Sequence, residues 1–233
     1  MEFFLDSASL KEIEKWSEFG LVDGVTTNPT LLAREGREAL SQLKQIASRV
    51  KGPVSAQVTF DQSDRMIQQG FALSELADNI IVKVPATEEG FRAAKVLAPE
   101  GVKCNVTLTF DPAQAVAFCR LPVAYVSLII GRVEDFGLHG LSLAQQLRNV
   151  IDRLDSPTRL LAASIRNSHH LLAAMAAGAD VLTVPPSTWV NVFSNPLTLS
   201  GEKDFFSAWR SLPHEMLNQY ESLQAKIGSR SVK

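Results

Sequence analysis

The run Asn79-Ile-Ile-Val-Lys83-Val-Pro85 carries the clearest signal of how this chain folds. Its short apolar, β-branched core predicts a buried strand, and the proline marks the end of that strand. Because side chains alternate between the two faces of a strand, Lys83 shares a face with Ile81 and points away from Val82. Lysine is seldom fully buried without a partner or a function. We therefore expect a strand whose inner face carries one amine.

Seven similar runs occur along the chain, and helical patterns fill the gaps between them. The eight predicted strands are Glu2–Asp6, Gly24–Thr27, Val54–Thr59, Asn79–Val84, Lys103–Leu108, Ala124–Ile129, Leu160–Ser164 and Val181–Val184. Strands joined through helices need crossover connections, so the sheet should be parallel. Eight such units in 233 residues predict a closed (β/α)₈ (TIM) barrel, a fold of about 250 residues. An open doubly wound sheet is the alternative, but no glycine-rich phosphate loop follows the first strand.

The charge and hydropathy of the sequence indicate which kinds of binding partner and which cellular location to expect. The formal net charge is −2 and no basic block stands out, so we expect neither a nucleic acid nor a membrane surface as a partner. The first residues lack the pattern of a signal peptide, and no stretch approaches the roughly 20 apolar residues of a membrane span. The two cysteines lie in apolar surroundings, which is typical of free thiols in a reducing compartment. The expected location is the cytoplasm.

No linker or low-complexity tract divides the sequence, so residues 1–233 are predicted to form a single barrel domain. Beyond the eighth strand, the pattern of Phe205, Phe206, Trp209 and Leu212 predicts one amphipathic helix over about residues 202–226. The ordinary role of such a helix is to pack on its own barrel.

Polar side chains at the carboxyl ends of barrel strands are the candidates for function, because active sites of this fold lie there. Besides Lys83, the sequence offers Asp6, Asn28, Gln57, Asn105, Thr107, Arg132, Ser164 and Arg166. Burial among apolar neighbours would lower the pKa of Lys83 and leave a nucleophilic amine, whereas a salt-bridged surface lysine is the bland alternative. Asp6 is suited to moving a hydroxyl proton or, alternatively, to capping the next helix.

The remaining candidates have equally ordinary alternatives. The amide of Asn28 suits a polyol hydroxyl, although Asn-Pro also makes a structural turn. Arg132 and Arg166 follow consecutive strands, and their planar donor forks suit a phosphate, although either one alone would more often form a surface ion pair. Uncharged polar residues on an inner strand face must find partners or line a wet site.

Taken in order, these residues resemble the transaldolase family, in the short-chain branch that includes the fructose-6-phosphate aldolases. The matching segments are Phe4-Leu-Asp6, Gly24-Val-Thr-Thr-Asn28-Pro29, Val82-Lys83-Val-Pro-Ala-Thr87, Cys104-Asn105-Val-Thr107-Leu108, Gly131-Arg132 and Ala163-Ser164-Ile-Arg166-Asn167. They extend over nearly the whole chain. The resemblance implies class I aldol chemistry, which uses neither a metal nor an organic cofactor.

The resemblance also implies a role for each candidate. Lys83 would form an imine with the ketone of a ketose phosphate, and Asp6 would take the C4 hydroxyl proton as the C3–C4 bond breaks. Thr107 and Gln57 would hold the water that shuttles protons during imine formation and hydrolysis. The substrate's hydroxyls would contact Asn28, Thr26, Asn105 and Ser127, and its phosphate would contact Arg132, Ser164 and Arg166.

Some positions depart from the family pattern. Gln57 is similar to the fructose-6-phosphate aldolases, whereas transaldolases have glutamate there; Asn105 and Ser127 are similar to transaldolases instead. Ile129 lacks the tyrosine hydroxyl that helps to position the aldolase water. We predict a transaldolase that moves a dihydroxyacetone unit from a ketose phosphate such as fructose 6-phosphate to an aldose phosphate. The alternative is an aldolase that releases free dihydroxyacetone, or a related aldol enzyme acting on a variant anionic sugar.

Two alternatives belong to other classes. A metal-dependent aldolase or isomerase would need histidine or carboxylate ligands at strand ends, but the four histidines lie outside the predicted strands. A non-catalytic sugar-phosphate-binding protein is compatible with Gln57 and Ile129.

By the same resemblance, the chain would bind sugar phosphates and act in the pentose phosphate pathway. It would form a ring-shaped homo-oligomer, a pentamer or a decamer, in which the C-terminal helix packs on a neighbouring subunit.

Overall fold

The structure is a computed structural model that describes residues 1–227, with side chains described for residues 1–220. Strands and helices alternate along most of the chain. In order they are β1 (Glu2–Asp6), α1 (Leu10–Glu18), β2 (Gly24–Thr26), α2 (Pro29–Arg34), α3 (Ala39–Arg49), β3 (Val54–Gln57), α4 (Ser63–Ser74), β4 (Ile80–Pro85), α5 (Glu88–Leu97), β5 (Cys104–Thr109), α6 (Pro112–Phe118), β6 (Tyr125–Ile129), α7 (Ile130–Asp135), α8 (Gly140–Arg153), β7 (Arg159–Ala163), α9 (Ser168–Ala176), β8 (Val181–Val184), α10 (Pro186–Phe193), α11 (Pro196–Arg210) and α12 (His214–Ile227).

The eight strands form a closed barrel in which every neighbouring pair is parallel. The strand order follows the chain from β1 to β8, and the barrel closes where β1 pairs with β8. The predicted (β/α)₈ barrel is therefore confirmed, and the open sheet is excluded. Strands β1 and β8 have the predicted ends, and the other strands differ from the prediction by one or two residues at one end or at both ends.

Apolar side chains from alternate strand positions fill the inside of the barrel. This inner cluster contains Phe4, Ile81, Tyr125, Ile129, Leu161, Ala163 and Val181. The rings of Phe4 and Tyr125 meet edge to face, with centroids 5.8 Å apart. Ile81 belongs to the cluster, so the inner face of β4 is the predicted one, and Lys83 follows two residues later on that face. A packed interior leaves space for a ligand only at an end of the barrel.

Several helices that flank the barrel begin with side-chain caps, and two of these helices follow strands β2 and β5. The Asn28 side chain accepts the backbone N–H of Leu31, and Pro29 occupies the first turn of α2, where a missing N–H costs nothing. Asp111 begins α6 with a reciprocal capping box that involves Gln114. These caps fix the point at which the chain leaves β2 and β5 and turns back along the outside of the barrel.

The chain divides into two compact units, Met1–Val190 and the residues from Asn191 on. The first unit contains the whole barrel, and organisation as a single domain stays a prediction. In the second unit, two helices replace the one helix expected over about residues 202–226. Helix α11 ends at Arg210 and α12 begins at His214. The cause is Pro213, which has no N–H to donate and disfavours helical backbone at the residue before it.

Within residues 1–227, no helix combines the length and the apolar character that crossing a membrane requires.

Gly24 in β2 has no room for a side chain. A Cβ there would lie 2.6 Å from the ring of Phe4 and 2.8 Å from the backbone oxygen of Pro53. Because that backbone oxygen accepts the hydrogen bond of Val25 and is held in place, Gly24→Ala should lower the free energy of unfolding by about 1–3 kcal/mol. Denaturant unfolding followed by circular dichroism measures the change.

Gly201→Ala in α11 is the matched control. Apart from its two chain neighbours and the nearby backbone of its own helix, no described atom lies within 4 Å of a Cβ added at this position. Since alanine also favours a helix over glycine, the free energy of unfolding should stay level or rise by about 0.5–1 kcal/mol. Equal losses in the two variants would contradict the steric explanation for Gly24.

Candidate active site

A cavity of about 470 Å³ opens at the carboxyl ends of the strands. Most of the predicted site residues line it: Asp6, Thr26, Asn28, Gln57, Lys83, Thr107, Ser127, Arg132 and Ser164. Two predicted residues, Asn105 and Arg166, are not part of its wall. The cavity also has an apolar side, made by Ile129, Leu161 and Ala163. The structure therefore brings side chains from strands spread along the whole barrel to one place.

Lys83 is the most deeply buried charged side chain of this cavity, with 8% of its surface exposed. Its Nζ donates a hydrogen bond to the backbone oxygen of Thr27 at 2.9 Å. Burial lowers the pKa of Lys83, while attraction to the Asp6 carboxylate acts in the opposite direction. Because the neutral amine is the nucleophilic form, a lowered pKa prepares Lys83 to attack a carbonyl carbon.

Asp6, at the end of β1, is the carboxyl group that interacts electrostatically with this amine. Its Oδ1 accepts a hydrogen bond from Thr26 at 2.9 Å. Burial raises the pKa of Asp6, and the charge of Lys83 and the Thr26 hydrogen bond lower it in part. A carboxyl group with a raised pKa can take a proton from a hydroxyl and return it, as a general acid–base must.

Thr183 is a site residue that the sequence analysis missed. It lies in β8 and lines the cavity, and its hydroxyl is 2.6 Å from that of Thr26. Thr26 therefore stands between Thr183 and Asp6 in a short chain of hydrogen bonds. The signal was present, since Thr183 is the one polar residue of its strand.

A buried hydrogen-bond chain joins strands β6, β5 and β3. Ser127 donates to Oδ1 of Asn105 at 2.6 Å, and Nδ2 of Asn105 reaches the hydroxyl of Ser55 at 3.4 Å. Asn105 has no exposed surface, whereas Ser127 lines the cavity. Asn105 thus holds the Ser127 hydroxyl at the cavity wall and does not line the cavity itself. Direct contact of Asn105 with a substrate stays a prediction.

Asn28 combines the two roles that its sequence context suggested. Its Oδ1 accepts the N–H of Leu31 and caps α2, while the side chain also lines the cavity. The oxygen is an acceptor and is used by the cap, and Nδ2 is the group of this side chain that can donate to a ligand hydroxyl. Arg34, at the end of α2, lines the same cavity and was missed because it lies on a helix and not at a strand end.

The predicted phosphate residues are arranged around Gly131. Arg132 and Ser164 line the cavity, and the Arg132 guanidinium lies 5.2 Å from the ring centroid of Phe110. Arg166 is outside the wall and forms a two-pronged ion pair with Asp135. A Cβ on Gly131 would lie 2.9 Å from the Ser164 hydroxyl and 2.6 Å from Nε of Arg166. A glycine is therefore needed for these groups to approach one another.

Two non-glycine residues with a left-handed backbone lie on the cavity wall. Leu108 has φ 59° and Ser164 has φ 61°. Leu108 coincides with an irregularity in the pairing of β5 with β6, between Val106 and Thr109. Such backbone strain collects at functional sites, where it aims particular groups at a ligand. Neither residue type signals this conformation in the sequence.

The other reactive side chains have different environments. Within residues 1–220, whose side chains the structure describes, no group of three or more His, Cys, Asp or Glu side chains is placed to hold a metal. His170 instead pairs with Glu134, with Nε2 and Oε2 2.6 Å apart. Cys104 and Cys119 are free and buried, and burial raises the pKa of their thiols to about 12 and about 11. Neither thiol is therefore a reactive nucleophile.

Comparison with known proteins identifies a family. The family model described as Transaldolase/Fructose-6-phosphate aldolase matches residues 3–228. A "Probable transaldolase" of Lactiplantibacillus plantarum is 44% identical over 211 residues, which cover 91% of this chain and 97% of the relative. A "Probable transaldolase 2" of Listeria monocytogenes is 43% identical over 211 residues, with coverages of 91% and 97%. A "Probable transaldolase" of Caulobacter vibrioides is 41% identical over 217 residues, with coverages of 93% and 100%.

The electrostatic link between Asp6 and Lys83 has a measurable consequence. The Asp6 carboxylate favours the charged form of Lys83 and so raises its pKa. Asp6→Asn removes this attraction, and the pKa of Lys83 should fall further below its usual value. The rate at which an amine-reactive reagent modifies Lys83, followed by mass spectrometry against pH, should shift to lower pH in the variant.

Asp111→Asn is the control, because Asp111 lies on the surface at the start of α6. Its profile should coincide with that of the parent protein. A shift of the Asp6→Asn profile to higher pH would contradict the proposed balance between burial and attraction.

Proposed function

Because the chain belongs to the transaldolase and fructose-6-phosphate aldolase family, we propose that it is a Schiff-base transaldolase. It transfers a dihydroxyacetone unit from a ketose phosphate such as fructose 6-phosphate to an aldose phosphate. The observation that carries this proposal is the buried Lys83 amine, whose pKa is lowered in a cavity that also holds the partly buried carboxyl group of Asp6. Relatives named probable transaldolase support transfer to an acceptor.

The first half of the reaction opens the donor sugar. The neutral amine of Lys83 attacks the ketone carbon; with one proton taken up from solvent, the hydroxyl of the resulting carbinolamine leaves as water and a protonated imine forms. Asp6 then accepts the proton of the C4 hydroxyl, the C3–C4 bond breaks, and its electron pair moves towards the imine nitrogen. The aldose phosphate departs, and the three-carbon unit stays on Lys83 as an enamine. The imine lowers the barrier because it accepts the electrons that a ketone would hold poorly.

The second half runs the same steps in reverse with another aldose phosphate. The enamine carbon attacks the aldehyde of the acceptor, and Asp6 returns its proton to the new alkoxide. Water then hydrolyses the imine and frees Lys83. Thr107 and Gln57 line the cavity and are suited to holding this water, and the carboxamide of Gln57 positions the water without taking its proton.

The apolar side of the cavity favours transfer over release of free dihydroxyacetone. Ile129 and Leu161 offer no hydrogen bonds to a water molecule near the enamine. A bound acceptor therefore competes well with water for the three-carbon unit. Gln57 is the residue that favours the second candidate function, an aldolase, because the aldolases of this family have glutamine at that position.

The polar groups of the cavity also suit the rest of a sugar phosphate. Ser127 and the Nδ2 group of Asn28 line the cavity and are suited to contacting the hydroxyls of the dihydroxyacetone unit. Arg132 and Ser164, with Arg166 beyond Gly131, supply donors for the terminal phosphate. The ligands of this protein are therefore small sugar phosphates.

Assembly as a homo-oligomer, a pentamer or a decamer, is part of the same proposal. In the second unit, Leu197, Phe205 and Phe206 of α11 are 83%, 78% and 56% exposed. Apolar side chains as exposed as these are commonly covered in an assembly.

Products distinguish transfer from release. We expect fructose 6-phosphate and erythrose 4-phosphate together to give sedoheptulose 7-phosphate about tenfold faster than fructose 6-phosphate alone gives free dihydroxyacetone. Both products are measured by mass spectrometry in one time course, and Lys83→Ala should remove both.

Other outcomes assign the protein differently. Equal release of dihydroxyacetone with and without the acceptor would show an aldolase. Binding of fructose 6-phosphate without any product would show a sugar-phosphate-binding protein that has lost its chemistry.

A further inference from the structure

The two acidic residues that end α7 contact the segment of Arg166 at two separate points. Both carboxylate oxygens of Asp135 bind the Arg166 guanidinium, with Nη2 and Oδ2 2.6 Å apart. Glu134 binds Nε2 of His170 at 2.6 Å, and Nδ1 of His170 accepts the backbone N–H of Arg166 at 3.4 Å. The side chain and the backbone of Arg166 are thus both held from the same short helix.

The ion pair with Asp135 uses only one end of the guanidinium. Asp135 contacts Nη1 and Nη2, which leaves the Nε edge for a second acceptor. A Cβ added to Gly131 would lie 2.6 Å from Nε of Arg166 and 2.9 Å from the Ser164 hydroxyl, so both groups lie close to the same point. Ser164 lines the cavity, so Nε of Arg166 lies close to a residue of the cavity wall.

A carboxylate in this position removes a cost from ligand binding. An arginine side chain has many rotamers, and fixing it at the moment of binding opposes that binding. The hydrogen bonds of this pair raise the pKa of Arg166 and lower the pKa of Asp135, so both groups stay charged. Asp135 therefore holds the donor fork in one orientation before a ligand arrives.

We propose that Asp135 is a positioning residue that, together with Glu134 and His170, aims the Nε edge of Arg166 at the terminal phosphate of a sugar substrate. The proposal rests on the proposed function, because it takes a sugar phosphate as the ligand of the cavity. It adds the residue that sets the preference for phosphorylated over unphosphorylated sugars. Asp135 acts through Arg166 and does not touch the reacting atoms.

Asp135→Ala should change this preference more than the rate of the chemical step. We expect the KM for fructose 6-phosphate to rise roughly three- to tenfold, the loss that follows when a long side chain must be ordered on binding. The kcat should change much less, and the ratio of kcat/KM for fructose 6-phosphate to that for fructose should fall by a similar factor. Asp135→Asn keeps the shape of the side chain and one acceptor oxygen, and it should give a smaller effect in the same direction.

A matched control removes a carboxylate from another exposed arginine pair. Glu88→Ala breaks the ion pair of Glu88 with Arg92 on α5, in which the side chains are 78% and 61% exposed. This variant should keep the sugar preference of the parent protein. Thermal unfolding followed by circular dichroism shows whether each variant is folded.

A second measurement needs no turnover. Calorimetric titration with inorganic phosphate should give a higher Kd for Asp135→Ala than for the parent protein. The same substitution in an Arg166→Ala background should have no further effect, because Asp135 acts through Arg166.

Three results would overturn the positioning role. Tighter phosphate binding in Asp135→Ala would mean that the carboxylate competes with the ligand. An equal loss of phosphate binding in the Arg166→Ala background would mean that Asp135 acts by another route. Equal losses for fructose and fructose 6-phosphate would mean a general structural role. Phosphate binding that depends on Asp135, in a protein that makes no aldol product, would contradict the proposed function and leave the positioning role standing.

Discussion

The burial of the Lys83 amine is the constraint on which the rest of the site depends. Removal of a lysine from water destabilises its charged form, so the surrounding structure must either supply an opposite charge or accept a neutral amine. This barrel supplies part of the opposite charge and also favours the neutral amine. The backbone oxygen of Thr27 accepts one hydrogen bond from Nζ, and Asp6 offsets part of the desolvation. The balance that remains lowers the pKa of Lys83 and so favours the neutral, nucleophilic amine.

The same burial has the opposite effect on Asp6. Its pKa is raised, so the pair contains an amine that gives up its proton easily and a carboxyl group that takes one easily. Thr26 donates a hydrogen bond to Asp6 and is itself hydrogen-bonded to Thr183. The charged groups at the other end of the site are exposed to water, which stabilises their ionised forms. They are Arg132, Arg166 and Asp135. The cavity thus has a more buried end at Lys83 and a more exposed end at Arg132, which suits a phosphate.

Much of this could be predicted from the sequence, because local signals and global fold agree. Alternation around Lys83 gave the face of β4, and the order of strand-like runs gave the barrel. Other parts depend on contacts that the sequence does not display. Which of Asn105 and Ser127 reaches the cavity follows from how β5 and β6 pack, and Arg34 reaches it only because α2 turns back over the barrel. The left-handed Leu108 arises from an irregularity in strand pairing. The break at Pro213 was visible, but apolar periodicity outweighed it.

Covalent trapping tests the role of Lys83 most directly. Borohydride added with fructose 6-phosphate should reduce the imine and leave a three-carbon adduct, which peptide mass spectrometry locates on Lys83. Lys103→Ala removes an exposed lysine from the amino end of β5 and should keep the adduct, whereas Lys83→Ala should lose it. An adduct that survives Lys83→Ala, or a folded parent protein that forms none, would contradict the account.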